Sequence, residues 1–139
     1  MAAQVLYTSD VLGLATSLAG YPFDDGAPLK GEARSRSCGS TIALSLAIDA
    51  EGRIERAGVK SQACAIGQAA AAIFAAQAPG RSADDITAAR EAIRAWLTDG
   101  GHLPDWPGLE RIATAREYPA RHGAILLAWN AASELLPTT

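Results

Sequence analysis

Residues 38–64 read CGSTIALSLAIDAEGRIERAGVKSQAC, and the fold turns on how this stretch is read. After Cys38-Gly39-Ser40, apolar Ile42, Leu44, Leu46 and Ile48 alternate with Thr41, Ala43, Ser45, Ala47 and Asp49. A period of two sustained over that length marks a half-buried strand. Glu51-Gly52 supplies the turn, since glycine takes a positive φ without steric cost. A second run follows with Ile54, Ala57 and Val59. Its phase slips by one residue between Ile54 and Ala57, so a bulge is expected near Glu55-Arg56. In an antiparallel hairpin the start of the first strand lies beside the end of the second. Cys38 and Cys64, the protein's two cysteines, are therefore expected at one edge of a sheet.

Upstream of the hairpin, Val11, Leu14, Ala15 and Leu18 recur at helical spacing, which predicts a helix over 8–19 capped by Ser9 or Asp10 and closed by Gly20. From Tyr21 to Ser37 the composition shifts to Pro, Gly, Asp, Lys, Arg and Ser, a loop signature, within which Gly31 to Ser37 suits a short edge strand. Downstream, Cys64 opens an Ala-rich helix that ends near Pro79-Gly80. Ser82 caps a third helix with Asp85 in the capping-box position, and Ile86, Ala89, Ile93, Trp96 and Leu97 form its buried stripe up to Asp99-Gly100-Gly101. His102 to Pro107 reads as a loop with a solvated His102, and Leu109, Ile112 and Ala113 mark a short helix. The last helix begins at Pro119, a good first-turn residue, and runs to about Leu136 with Ile125, Ala128, Trp129, Ala132 and Leu136 on its apolar face. The expected architecture is α+β, a small antiparallel β-sheet with α-helices packed against it, in a single domain spanning 1–139.

Composition narrows the function. The chain has 139 residues, 19% of them charged, and a net charge of −3, which disfavours a nucleic-acid or anionic-membrane partner because either selects a basic surface. Residues 61–80 carry no charge but are mostly Ala, Gly, Ser and Gln, so they read as a buried helix rather than a membrane span. No Lys or Arg precedes Lys30, against the basic start of a secretory signal. Two cysteines without an export signal point to a reducing, cytoplasmic setting, where thiols stay free or bind metal.

Few residues carry chemistry. Cys38 follows a polar loop, and Cys64 stands at a helix start, where the positive end of the helix dipole suits thiolate chemistry. The plainer reading makes both small buried hydrophobes. His122 falls in the first turn of the last helix, as a ligand or as a packed or capping residue. No phosphate loop, Ser-His-Asp arrangement or paired carboxylates stand out, so the protein is expected not to be an enzyme, and its chemistry to be that of thiolates.

Leu6-Tyr7 before the first helix, the approach from Ala33 to Ser40 through Cys38-Gly39, and Ile48 to Ile54 in the hairpin carry a resemblance. So do Cys64-Ala65-Ile66-Gly67 and the run from Tyr118 to Trp129. In this order and spacing the chain resembles the IscU/SufU/NifU N-terminal-type iron–sulfur cluster assembly scaffolds, most closely the SufU branch. The resemblance implies a ligand set of three cysteines and an aspartate, for a [2Fe–2S] cluster or for zinc. Here Ser40 stands where the family has the aspartate, and Gly123 where it has the third cysteine, with His122 just before it. The resemblance implies a scaffold binding iron, zinc or a transient Fe–S cluster through Cys38, Cys64 and His122, with a second chain in a homodimer or a partner's thiol completing the set. It also implies two alternatives. One is a sulfur-transfer partner of a cysteine desulfurase in which Cys38 or Cys64 accepts persulfide sulfur. The other is a metal-free interaction protein of the same fold. Cysteine desulfurase and Fe–S acceptor proteins are the implied partners. A shared ion requires the sulfurs of Cys38 and Cys64 to lie within about 4–7 Å of each other, near the start of the last helix.

Overall fold

The computed structural model describes residues 8–35 and 39–137, and its centre is the hairpin of β2 (Thr41–Ile48) and β3 (Ile54–Gln62). Together with β1 (Leu29–Arg34) these strands form an antiparallel sheet in the order β1-β2-β3. Ile42, Leu44 and Leu46 are buried on one face, as the alternation predicts. The bulge is also where the phase slip puts it. Ala47 pairs with Arg56 and Ile48 with Ile54, which leaves Glu55 as the extra residue. In a regular strand Ile54 and Ala57, three residues apart, would point to opposite faces; with the bulge both are buried. Asp49 closes the turn: its Oδ1 accepts from the N–H groups of Glu51 and Arg53, both at 2.9 Å.

β1 is the edge strand, but it begins at Leu29 rather than Gly31 and ends at Arg34. Register explains the shift, because Leu29 opposite Leu46 extends the apolar inner face by one pair. Gly31 lies under the last helix, and a Cβ there would stand 2.9 Å from Leu135 Cδ2.

Helices cover the inner face. The first, α1 (Ser9–Ser17), is capped by Thr8 rather than by Ser9 or Asp10; the Oγ1 of Thr8 accepts from Val11 N–H at 3.2 Å. Thr8 is the residue still in extended conformation, while Ser9 and Asp10 are already helical. A 3₁₀ turn, Leu18–Gly20, ends this segment. α2 (Ala65–Gln77) follows the hairpin and is buried almost along its whole length. α3 (Ala83–Thr98) has the expected capping box between Ser82 and Asp85. None of the helices among the described residues is long and apolar enough to cross a membrane.

Three segments depart from expectation. The loop before residue 109 leaves His102 exposed but buries Trp106, whose Nε1–H donates to the Ile73 carbonyl at 3.0 Å. Trp106 stacks on Phe74 with ring centroids 5.7 Å apart, and Trp129 meets both edge-on. The short helix is a 3₁₀ segment, Leu109–Glu117, with a kink at Ile112. Its buried residues are Leu109, Ile112 and Ala115, whereas Ala113 is exposed, because a 3₁₀ helix repeats every three residues. Pro119 opens a 3₁₀ turn, Pro119–Arg121, and the α-helix proper, α4, spans His122–Leu135. The expected apolar face of α4 is buried throughout.

The opposite face of the sheet is covered only near the hairpin turn. Val59 N–H donates to the Tyr21 carbonyl at 2.8 Å, and Asp24 N–H to Ser45 Oγ at 3.0 Å, which binds the 21–27 loop over that half. The Pro22 carbonyl sits so close over Gly58 that no side chain fits there.

Candidate functional site

Thr41 pairs with Arg34 on one side and Gln62 on the other, so the end of β1, the start of β2 and the end of β3 form one sheet edge. The connection from β1 to β2 is drawn together at this edge. Ser35 N–H donates to the Ser40 carbonyl at 2.8 Å, and Gly39 N–H to the Ser35 carbonyl at 3.0 Å. Ser40, the residue in the aspartate position, is buried. Cys38 belongs to this connection in sequence but lies outside the described residues, and with it the expected approach of its sulfur to that of Cys64.

Cys64 follows β3 by two residues and is the N-cap of α2, with φ −65° and ψ 168°. Its free thiol is partly exposed and makes no capping bond. Two hydrogen bonds run back from Gln68 to this turn. Gln68 N–H donates to the Cys64 carbonyl and Gln68 Nε2 to the Ala63 carbonyl, both at 2.9 Å. The Cys64 Sγ takes part in neither bond, and no acidic residue occupies the first turn of α2.

The start of α4 is brought to this helix by a close approach. A Cβ on Gly67 would stand 3.4 Å from the Cβ of Ala124 and 2.8 Å from that of Ala63. Ala63 is what restricts this position to glycine, and the 3.4 Å to Ala124 is the van der Waals contact by which the first turns of α2 and α4 meet. His122 lies two residues before Ala124, partly buried, with Nε2 2.8 Å from the Arg116 carbonyl. A carbonyl only accepts, so Nε2 carries the hydrogen, and in the neutral ring Nδ1 holds the lone pair. This bond reaches back to the last turn of the preceding 3₁₀ segment and caps no N–H of α4, a contact that a packed residue, a cap on that segment's carbonyls and an oriented ligand all share. A ligating histidine is commonly oriented by such a bond from its other nitrogen to a carbonyl. Gly123 is half-buried beside it.

The structure thus joins the helix starts that carry Cys64 and His122, at the edge where Ser40 begins β2. Among the described residues no three His, Cys, Asp or Glu side chains gather into a metal-binding group. Two groups that position the site escape sequence reasoning, the Arg116 carbonyl and Gln68. Gln68 had a readable signal, four residues after Cys64 on the same helix. The Arg116 carbonyl had none, because it depends on a 3₁₀ path.

The sequence profile described as NifU-like N terminal domain matches residues 19–111, which is 93 of the 139 residues and includes Cys38 and Cys64 but not His122. Among solved structures, the chain is similar to the nitrogen-fixing NifU-like protein (N-terminal) from Brucella abortus. The TM-score is 0.87 at 26% identity, over 97% of this chain and 94% of that one. It is also similar in fold to a putative iron–sulfur cluster assembly scaffold protein for the SUF system from the thermophile Fervidobacterium islandicum AW-1. That match has a TM-score of 0.84 at 18% identity, over 96% of this chain and 98% of that one. No curated protein matches the chain in sequence.

Proposed function

The chain belongs to the NifU-like N-terminal domain family, and on that premise we propose that it is a single-domain iron–sulfur cluster assembly scaffold over 1–139, not an enzyme. Its cargo is iron or a transient Fe–S cluster, with zinc as a second metal that suits the same donors. Cys64, Cys38 and the Nδ1 of His122 are the proposed ligands. The observation that supports this reading is the pairing of an unbonded thiol at the start of α2 with an oriented imidazole at the start of the adjoining α4. Two thiolates and an imidazole leave one position of a tetrahedral ion open. A partner thiol or a second copy completes it, since Ser40 and Gly123 replace the remaining family ligands. The proposed partners are a cysteine desulfurase and Fe–S acceptor proteins, in the cytoplasm.

A second reading rests on a single thiol, and the free, partly exposed Cys64 supplies one. Sulfur transfer needs only one nucleophilic thiolate. In that step the thiolate of Cys64 or Cys38 attacks the outer sulfur of a partner's persulfide. A new S–S bond forms, the old one breaks, and the partner leaves as thiolate.

Metal analysis after anaerobic reconstitution with ferrous iron and sulfide, or with zinc, separates the readings. Under the scaffold reading the wild type retains metal, and Cys38→Ser or Cys64→Ser abolishes retention. His122→Ala weakens affinity by about tenfold or more with the fold intact, and Gly123→Cys strengthens it. Full occupancy in His122→Ala removes that residue from the set. Loss of metal from every form, with persulfide still accepted, selects sulfur transfer.

A further inference from the structure

The half of the outer sheet face that the 21–27 loop leaves bare is a trough of about 260 Å³ beside the cysteine edge. Its floor is β2, whose outward side chains here are short, Thr41 and Ala43. Glu32 and Arg34 of β1 wall one side, and Lys60 and Gln62 of β3 the other. Register places them in two rows, Glu32–Ala43–Lys60 and Arg34–Thr41–Gln62, and the second row borders the Ser35–Ser40 connection.

The charges of this face are not balanced from within. Four cations rise from its strands, Lys30, Arg34, Arg56 and Lys60, all exposed. Only Arg56 is neutralised by a carboxylate among the described residues, pairing with Asp24 at 3.2 Å. The ammonium of Lys30 is spent on the Asp25 carbonyl, and that of Lys60 lies 5.5 Å from the centre of the Phe23 ring. The Arg34 side chain has no ion-pair partner among the described residues. Against them stand two exposed acids of the same strands, Glu32 on β1 and Glu55 at the β3 bulge, of which only Glu32 lines the trough. In a chain of net charge −3, the trough thus sets two cations, Arg34 and Lys60, against one acid, near the sheet edge from which β3 leads to Cys64.

We propose that this trough docks an acidic surface on the protein that supplies sulfur to the cysteine edge, with Arg34 and Lys60 as its two electrostatic contacts. The inference rests on the scaffold or sulfur-acceptor reading above and adds the chemistry of the partner's surface. Opposite charge steers the encounter and sets its orientation, acting mainly on the association rate. A low, small-residue floor between charged walls lets the partner come close to β2 without displacing large side chains.

The test is the association of full-length protein with a cysteine desulfurase from the same genome, measured by biolayer interferometry between about 50 and about 300 mM NaCl, a range over which screening strengthens. Wild-type binding should weaken as salt rises. Arg34→Glu with Lys60→Glu should bind about tenfold more weakly at low salt, most of it as slower association, and lose the salt dependence. Arg34→Gln with Lys60→Gln, which removes charge without reversing it, should fall in between, and Arg90→Glu on α3 should behave as wild type. Circular dichroism on each variant establishes that it is folded. Equal binding by the wild type and both double variants overturns the trough while leaving the scaffold reading in place. No binding by the wild type overturns the docking proposal and the desulfurase partnership together. A loss in the double variants matched by Arg90→Glu reduces the effect to overall charge and overturns the trough.

Discussion

Two helix starts in this molecule are built in opposite ways. α3 begins with a reciprocal capping box. Ser82 Oγ accepts from Asp85 N–H at 3.1 Å, and Asp85 Oδ2 accepts from Ser82 N–H at 3.0 Å. A second acid, Asp84, also stands in its first turn. α2 begins with Cys64 in the same extended cap conformation, yet its side chain caps nothing and no acid follows. The surroundings differ in the same sense. Near α3, Arg81 lies over the Trp106 ring at 4.2 Å, and Trp106 is packed against Phe74 and Trp129. Near α2, the chain narrows to Gly67 against Ala124, and the neighbouring start of α4 also has no side-chain cap. One end of the molecule caps its helix and buries a three-ring aromatic cluster. The other holds a thiol that caps nothing and an imidazole turned by the Arg116 carbonyl.

The largest effect is expected at the end with the aromatic cluster. Trp106→Ala removes a buried indole, its bond to Ile73 and two ring contacts, and should destabilise the fold by about 3–5 kcal/mol. Urea unfolding measures this, and the folded fraction should still bind metal. A loss of metal binding in the folded fraction would mean that the two ends are coupled and the division drawn here is wrong.

Ser82→Ala should cost about 1 kcal/mol, the usual worth of an N-cap. The matching change at the other helix has the opposite sign. Cys64→Asp places a good capping side chain on a backbone already in cap geometry, and should gain roughly 0.5–1 kcal/mol while metal binding is lost. If Cys64→Asp is no more stable than wild type, the start of α2 is already satisfied and the contrast with α3 does not hold.

The smallest effect concerns acid. The bond from Ser82 N–H holds the Asp85 carboxyl below the usual carboxylate range, with the Ser82 hydroxyl and Arg53 acting in the same direction. A depressed folded value contributes stability that is fully present above the unfolded value of about 3.9. That contribution is lost as the pH falls through the lower folded value. Asp85→Asn should therefore differ from wild type at neutral pH and converge with it in acid. A difference that persists unchanged in acid, once the wild-type carboxyl is protonated in the folded state too, would show that packing at Asp85, rather than its charge, is responsible.

Much of this was legible in local sequence. The alternation through Ile42, Leu44 and Leu46 needs only the two-residue period of a strand. The slip between Ile54 and Ala57 marked the Glu55 bulge because the buried face must stay continuous, and Ser82 with Asp85 announced a capping box through spacing alone. Cys64 at a helix start was likewise readable from the Ala-rich run behind it.

The rest belonged to tertiary structure. Leu109 and Ile112 are three apart, a spacing that α and 3₁₀ helices share, so only packing chose Ala115 over Ala113 for the core. Trp106 looked like part of an open loop, and it is buried because Phe74, Trp129 and the Ile73 carbonyl converge on it from two other helices. The orientation of His122 rests on a carbonyl six residues earlier, across a 3₁₀ turn that no periodicity encodes. Local pattern determined which residues form strands, turns and caps, since those depend on neighbours in the chain. Which atoms meet at the cysteine edge was decided by how α2 and α4 close against each other at Gly67, a contact between residues 57 positions apart.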